Sequence, residues 1–260
     1  MELGDFRVDH VIDGAGRFRP TRLFAGSTDE QWATHRELLD ADGRLPITMG
    51  GFLIRGRDRV MLIDAGFGPG EFMGIQAGAL LDNLRAIGVA PDEVTDLLFT
   101  HLHIDHVGWA SNDGNVVFPN ATHRCAQAEW DHFMVHHRGA EAERVDPAAD
   151  RFEQWQLDST ILPGLDTMST PGHTPGSTTL VLSSGDERIM FLGDVIHCAV
   201  QLEEDEWGAL FDVDPELAKR TRNALARELE GANVRVSGGH FPEMTFGRLV
   251  RAEGRRHFVV

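Results

Sequence analysis

Thr100-His101-Leu102-His103-Ile104-Asp105-His106-Val107-Gly108 places three imidazoles and one carboxylate within six residues, and the rest of the chain is read outward from it. Imidazole and carboxylate without thiolate suit divalent zinc, iron or manganese. Side chains one residue apart diverge, so these four cannot all reach one tetrahedral ion. Two adjacent ions resolve this, with His101 and His103 serving one and Asp105 and His106 the other. The preceding run, Asp96-Leu97-Leu98-Phe99, is apolar and strand-like, which puts the cluster in a loop at a strand end.

Strand ends elsewhere repeat the theme. Thr48–Ile54 and Val60–Ile63 read as a hairpin through Arg55–Asp58, and the second strand ends in Asp64-Ala65-Gly66. Ile189–Leu192 ends in Gly193-Asp194, and Val234–Val236 ends in Gly238-Gly239-His240. His173 sits in Thr170-Pro-Gly-His-Thr-Pro-Gly176, a proline- and glycine-rich turn after a strand at Asp166–Ser169. Between these lie helical patterns at Gln76–Ile87, Ala128–His137 and Asp146–Asp158, and one from Asp214-Pro215 to Glu230. Residues Phe6–Ile12 suit an edge strand. A capping-box spacing at Ser27–Glu30 opens a helix expected to reach Leu39. Alternating strands and helices imply an α/β fold, residues 1–260 as a single domain. Residues 15–46 form an extension able to cover a site as a lid, with Phe18, Phe24 and Trp32 as its aromatic members.

The pattern His-x-His-x-Asp-His resembles the signature of the metallo-β-lactamase-fold hydrolases, and the resemblance runs from Asp64 to His240. It implies an αββα four-layer sandwich of two mixed sheets flanked by helices. It also implies a ligand set: His101, His103 and His173 for one metal, Asp105, His106 and His240 for the other, and Asp194 bridging. Asp64 would support the metal histidines from behind, accepting an outer imidazole N–H and fixing its tautomer. The implied cofactor is two divalent ions, zinc first, with iron, manganese or cobalt also suited. The implied chemistry is attack by a metal-activated hydroxide.

The Asp194 carboxylate sets the chain apart from β-lactam hydrolases of this fold and resembles the dinuclear branches. Phe118–Thr122, Gly172–Thr179 and Ala199–Gln201 look most like methyl parathion hydrolase and its lactonase relatives. Related lactonases commonly carry a tyrosine three residues after the bridging aspartate. This chain has no tyrosine and carries His197 there, a group able to donate to a substrate carbonyl or protonate a leaving alkoxide. The resulting expectation is a hydrolase of a neutral lactone or ester, with phosphotriesters as a side activity and Asp105, His197 and Asp64 as its working residues. Thioesterase, phosphodiesterase or nuclease, and β-lactamase chemistries are the alternatives within the family, and a diiron redox protein lies outside it.

Composition bounds the partners. Twenty-four basic against 41 acidic residues leave a formal charge of −17, which argues against nucleic acid or an anionic membrane and for a small neutral substrate. A homodimer is compatible with the composition. The start, Met-Glu-Leu-Gly-Asp, lacks a signal peptide's basic and apolar parts, and no apolar run matches a membrane span, so a cytoplasmic protein is expected. Cys125 and Cys198 read as reduced, with Cys198 close enough in sequence to Asp194 to line a pocket. Phe24, Trp32, Phe67, Trp109 and Trp207 are the aromatic candidates for an apolar lining. His132 and His136, four apart on a helix, read as solvated-face histidines.

Overall fold

The computed structural model describes every residue except Leu157. Among the described residues two mixed sheets lie face to face. The larger runs, edge to edge, Phe152–Trp155, Thr122–Ala126, Asp96–Leu98, Arg59–Ile63, Leu45–Gly56, Phe6–Phe18, Ile75–Ala77 and Gly70–Phe72, with Glu2–Leu3 also pairing Phe6–Phe18. Its first four strands are mutually parallel and the rest antiparallel. The smaller sheet runs Thr160–Leu162, Leu165–Ser169, Thr178–Ser184, Glu187–Phe191 and Arg235–Ser237, with only the last pair parallel.

Side chains alternate across a strand, and here both faces of each sheet are buried. Phe52, Ile54, Met61, Ile63 and Leu98 point inward and meet Leu180, Leu182, Ile189 and Phe191 of the other sheet. Their neighbours Leu53, Leu62 and Leu97 point outward and pack under the helix Leu80–Ala86 and the segment around Phe133. On the far side Val181 and Met190 face outward under the helix Pro215–Leu229, through Leu225, Ala226 and Leu229. The order helix, sheet, sheet, helix is the αββα sandwich expected from the motif. No helix among the described residues is long and apolar enough to cross a membrane.

Local structure departs from the sequence reading in several places. The first long strand extends to Phe18, past Gly14 and Gly16, where the pattern had suggested a stop at Ile12. Gln76–Ile87 divides into the strand Ile75–Ala77 and the shorter helix Leu80–Ala86. The capping box at the start of the extension is formed by Thr28 and Gln31, one residue later than Ser27–Glu30, and its helix passes after Trp32 into a kinked 3-10 stretch ending at Leu38. Residues 15–18 and 45–46 lie within strands. The stretch Asp146–Asp158, read as helical, is a 3-10 turn to Arg151 followed by the strand Phe152–Trp155, and Leu157 falls outside the described residues. Phe152 and Trp155, three apart, mimic one helical face. In the strand they point to opposite faces, one into each core layer.

His123 carries a consequence for stability. It is fully buried on Thr122–Ala126, stacked beside Phe99 and Phe152, and neither ring nitrogen has a partner. Burial, with the nearby Arg151 charge, pushes its pKa down to about 4. The unfolded chain therefore takes up the proton near pH 6.5 while the folded one refuses it until about pH 4, so stability falls as pH drops through that window. At pH 5 the cost amounts to about 2 kcal/mol. His123→Phe is expected to remove that part of the acid destabilisation: urea titrations at pH 7 and pH 5 should show the variant losing about 2 kcal/mol less than the parent. Parallel losses would contradict the assignment.

Candidate metal centre

The loops at one end of the sandwich bring the seven ligand-type residues together. His101 and His103 follow the strand Asp96–Leu98, and the short helix Ile104–Val107 turns Asp105 and His106 back toward them. Asp194 follows Glu187–Phe191 and His240 follows Arg235–Ser237. Ligand atoms of His101, His103 and His173 lie within 4.8 Å of one another, as do those of Asp105, His106 and His240, and those of His101, His106 and Asp194. Asp194 stands between the two imidazole sets: its Oδ2 is 3.5 Å from His173 Nε2 and 3.1 Å from His240 Nε2, and its Oδ1 is 3.4 Å from His106 Nε2.

The hydrogen-bond partners behind the rings settle which nitrogens are bare. His240 Nδ1 is 2.8 Å from the Thr48 carbonyl, which can only accept, so the hydrogen is on Nδ1. His106 Nδ1 donates to Asp64 Oδ2 at 2.9 Å. His173 Nδ1 donates to Asp212 Oδ1 at 3.1 Å. The Thr100 hydroxyl donates to Asp64 Oδ2 at 2.8 Å, which leaves it to accept from His101 Nδ1 at 3.1 Å. In all four rings Nε2 thus points inward. His103 Nδ1 faces the Nε2 atoms of His101 and His173 at 3.1 and 3.0 Å. A tetrahedral ion with bonds of about 2.0–2.1 Å to nitrogen would space its ligands about 3.3 Å apart. Buried His106 Nε2 and Asp194 Oδ1 have no hydrogen-bond partner at all. Converging imidazole nitrogens with orphaned polar atoms among them fit bound cations.

The clustered groups also shift one another's protonation. Burial alone would raise the Asp194 carboxyl, but the imidazoles of His240, His197, His106 and His101 hold it well below the usual carboxylate range. Burial would lower His240 and His106, yet Asp194 overcomes it, lifting His240 to about 9 and His106 well above its ordinary value with help from Asp64. His103, buried beside His173, is pushed down to about 3. His101 is likewise well lowered, by burial and then by His106.

Asp64 holds a left-handed backbone, φ 58°, that aspartate tolerates better than most residues. Beyond its contact with His106, its Oδ1 accepts the Thr100 amide at 2.9 Å, so one carboxylate pins both the start and the end of the motif loop. Sequence reasoning missed Asp212 entirely. Its side chain is fully buried, and its second oxygen is 3.2 Å from Arg222 Nη2, whose Nη1 donates to the Val195 carbonyl. That chain ties His173 to the helix Pro215–Leu229, but the residues are scattered over the sequence and offer no motif.

A cavity of about 320 Å³ opens beside the cluster, bounded by His103, Asp105, His173, Asp194, His197 and His240 on one side. Its opposite wall is apolar: Phe24, Ile47, Met49, Phe72, Ile75 and Phe211, with Phe18 and Leu23 beyond. Phe18 and Phe24 therefore line the cavity. Trp32 and Trp207 pack on each other at 4.9 Å instead, and Trp109 donates its indole N–H to Asp13 at 2.8 Å. Phe67 stacks on Phe72 behind the wall. Cys198 is buried in the core, and burial pushes its thiol up to about 12. His132 and His136 join no ligand group among the described residues. His197 Nε2 lies 3.2 Å from Asp194 Oδ2, its ring stacks parallel to His240, and its Nδ1 has no partner.

Comparison with known proteins adds the following. The family model of the metallo-beta-lactamase superfamily matches residues 51–240. The N-acyl homoserine lactonase AiiA of Bacillus thuringiensis subsp. kurstaki is 27% identical over 154 residues, which is 57% of this chain and 58% of the relative. The match thus spans little more than half the length of that lactonase. Among solved structures, the hydrolase AbOPH of the beta lactamase superfamily superposes with a TM-score of 0.85 at 27% identity, covering 100% of this chain and 95% of the other. AidC, a dizinc quorum-quenching lactonase solved with the product N-hexnoyl-L-homoserine, superposes with a TM-score of 0.88 at 23% identity and the same coverage, a likeness of fold.

Proposed function

This chain belongs to the metallo-beta-lactamase superfamily, and on that premise we propose that it is a dinuclear metal hydrolase that opens a neutral lactone or cleaves a related ester. The observation that carries the reading is the apolar cavity ending on the bare imidazole and carboxylate atoms. His101, His103 and His173 would hold one ion, Asp105, His106 and His240 the other, and Asp194 would lie between them. Ions bound there supply hydroxide at neutral pH and polarise the substrate carbonyl. The carboxylates of Asp105 and Asp194 would reduce the repulsion between two such cations and leave a net positive site for a carbonyl oxygen. Thr48, Asp64 and Asp212 hold the rings in register by accepting their outer N–H groups.

The apolar wall selects the substrate. It offers no charged partner for a phosphodiester backbone, and the acidic chain repels one. An uncharged acyl chain beside a lactone ring suits it, the class on which the matched lactonase acts by name. Phosphotriesters share the neutral charge and are a side activity of this reading. A panel of acyl homoserine lactones, simple lactones, aryl esters, a phosphotriester, a thioester and a β-lactam tests it. The reading expects the highest kcat/KM on lactones with an apolar acyl chain. Hydrolysis confined to the thioester or β-lactam would reject it.

His197 lines the cavity and lies at ligand distance from His173 and Asp194, but in this reading it holds no ion and donates to the leaving alkoxide. Burial lowers its pKa, against the pull of Asp194. His197→Phe keeps the stacked shape and removes the donor. The expected result is a fall in kcat of about 10²-fold with little change in KM, the size typical of a lost acid–base group. An unchanged kcat on the best substrate would remove the role.

A further inference from the structure

We propose that Glu129 is a positioning residue that fixes the spacing between the loop bearing His101 and His103 and the loop bearing His173, and thereby the geometry of that one imidazole triplet. The proposal rests on the metal-hydrolase reading and concerns a residue that holds no ion itself. Glu129 is fully buried, just after the strand Thr122–Ala126. Its Oε2 accepts the amide of Leu102, the residue between His101 and His103, at 3.0 Å. Its Oε1 accepts the amide of Gly176, three residues past His173, at 2.7 Å. One carboxylate therefore spans the two loops, whose backbones also meet through the Thr178 amide on the Thr100 carbonyl.

A buried carboxylate with backbone donors and no cationic hydrogen-bond partner among the described residues is a costly choice for stability alone. Its geometry explains its presence. Glutamine could accept only one of the two amides, because its second terminal group is a donor and would face the other N–H. The neighbourhood is fitted to it: a Cβ at Gly176 would lie 2.6 Å from the Glu129 backbone nitrogen, so only glycine lets the His173 loop come this close. Phe133, from the widened π-helical turn that follows Glu129, meets His103 edge-on at 5.4 Å. The other ligand set is held elsewhere, with His106 on Asp64 and His240 on the Thr48 carbonyl, and Glu129 touches neither.

The test is the metal content of zinc-loaded protein under graded chelator, with melting temperature measured in parallel. The parent is expected to hold two equivalents. Glu129→Gln should release one of them at about 10–100-fold lower chelator concentration, the range found for lost ring-orienting groups, and keep the other. Gly176→Ala should do the same by pushing the loops apart, and it serves if the first variant folds poorly. Adding His173→Ala to Glu129→Gln should cost no further metal, whereas adding His240→Ala should strip both. Two equivalents in the variants with parental affinity would overturn the role of Glu129. Loss of both ions together, in step with a lower melting temperature, would also overturn it in favour of a general structural role. A parent that holds fewer than two equivalents would instead defeat the dinuclear reading beneath it.

Discussion

Asp194→Asn is expected to lower bound metal from two equivalents to at most one and to cut kcat/KM on the best substrate by on the order of 10³-fold. The carboxylate lies within 3.1–3.5 Å of both imidazole sets, with His173 and His240 on Oδ2 and His106 on Oδ1. Loss of a group that merely orients a ligand costs about 10–100-fold, and loss of the anion between two cations must exceed that. Asparagine keeps the shape, so the fold should persist while the charge between the ions disappears. The amide nitrogen would also aim hydrogens at lone pairs that Thr48, Asp64 and Asp212 keep bare. Metal content by elemental analysis and initial rates on the same preparation check both parts. Two equivalents with parental rates would exclude a bridging role.

Asp13→Ala should be the most destabilising single change outside the apolar core. Asp13 is 1% exposed and accepts from the amides of Phe67, Gly68, Gly78 and Leu80 and from the Trp109 indole, at 2.8–3.1 Å. Alanine leaves those donors buried and unpaired, at about 1–3 kcal/mol for each that water cannot reach. Even with some rescue by water the loss should reach about 4 kcal/mol, a size reserved for broken buried networks. For a chain of this length that corresponds to a melting temperature lower by about 10 °C. Differential scanning calorimetry at fixed metal concentration measures it, since bound metal itself raises the apparent stability. A drop under about 2 °C would mean that the loops around Gly68 and Trp109 stand without their shared acceptor.

What could be read in the sequence and what could not divide along physical lines. The metal cluster was legible because its chemistry is local: His101, His103, Asp105 and His106 are neighbours, and Asp64, Asp194 and His240 each close an apolar strand. The α/β class was legible because strands and helices alternate along the chain, and the sandwich followed from the resemblance that the motif carries. The acceptors that hold the site together were not. Asp13 binds Trp109 from 96 positions away, and Glu129 and Asp212 act on backbone amides or on a ring far along the chain. A carboxylate whose partners are backbone donors leaves no residue pattern to find. Gly14 and Gly16 hid half of the first long strand for a related reason. They look like strand breakers, yet side chains there would collide with the crossing hairpin strand Ile75–Ala77. The apolar spacing of Phe152 and Trp155 misled because burial on both faces of a sheet imitates one face of a helix.

The central claim is that one carboxylate ties two cations together above an apolar cavity. Diffraction at the metal absorption edge, on crystals grown with excess zinc, tests it most directly. The account predicts two anomalous peaks, one about 2.0–2.2 Å from the inward nitrogens of His101, His103 and His173, the other equally close to Asp105, His106 and His240, with Asp194 reaching both. A single peak, or two ions with Asp194 turned toward neither, would contradict it.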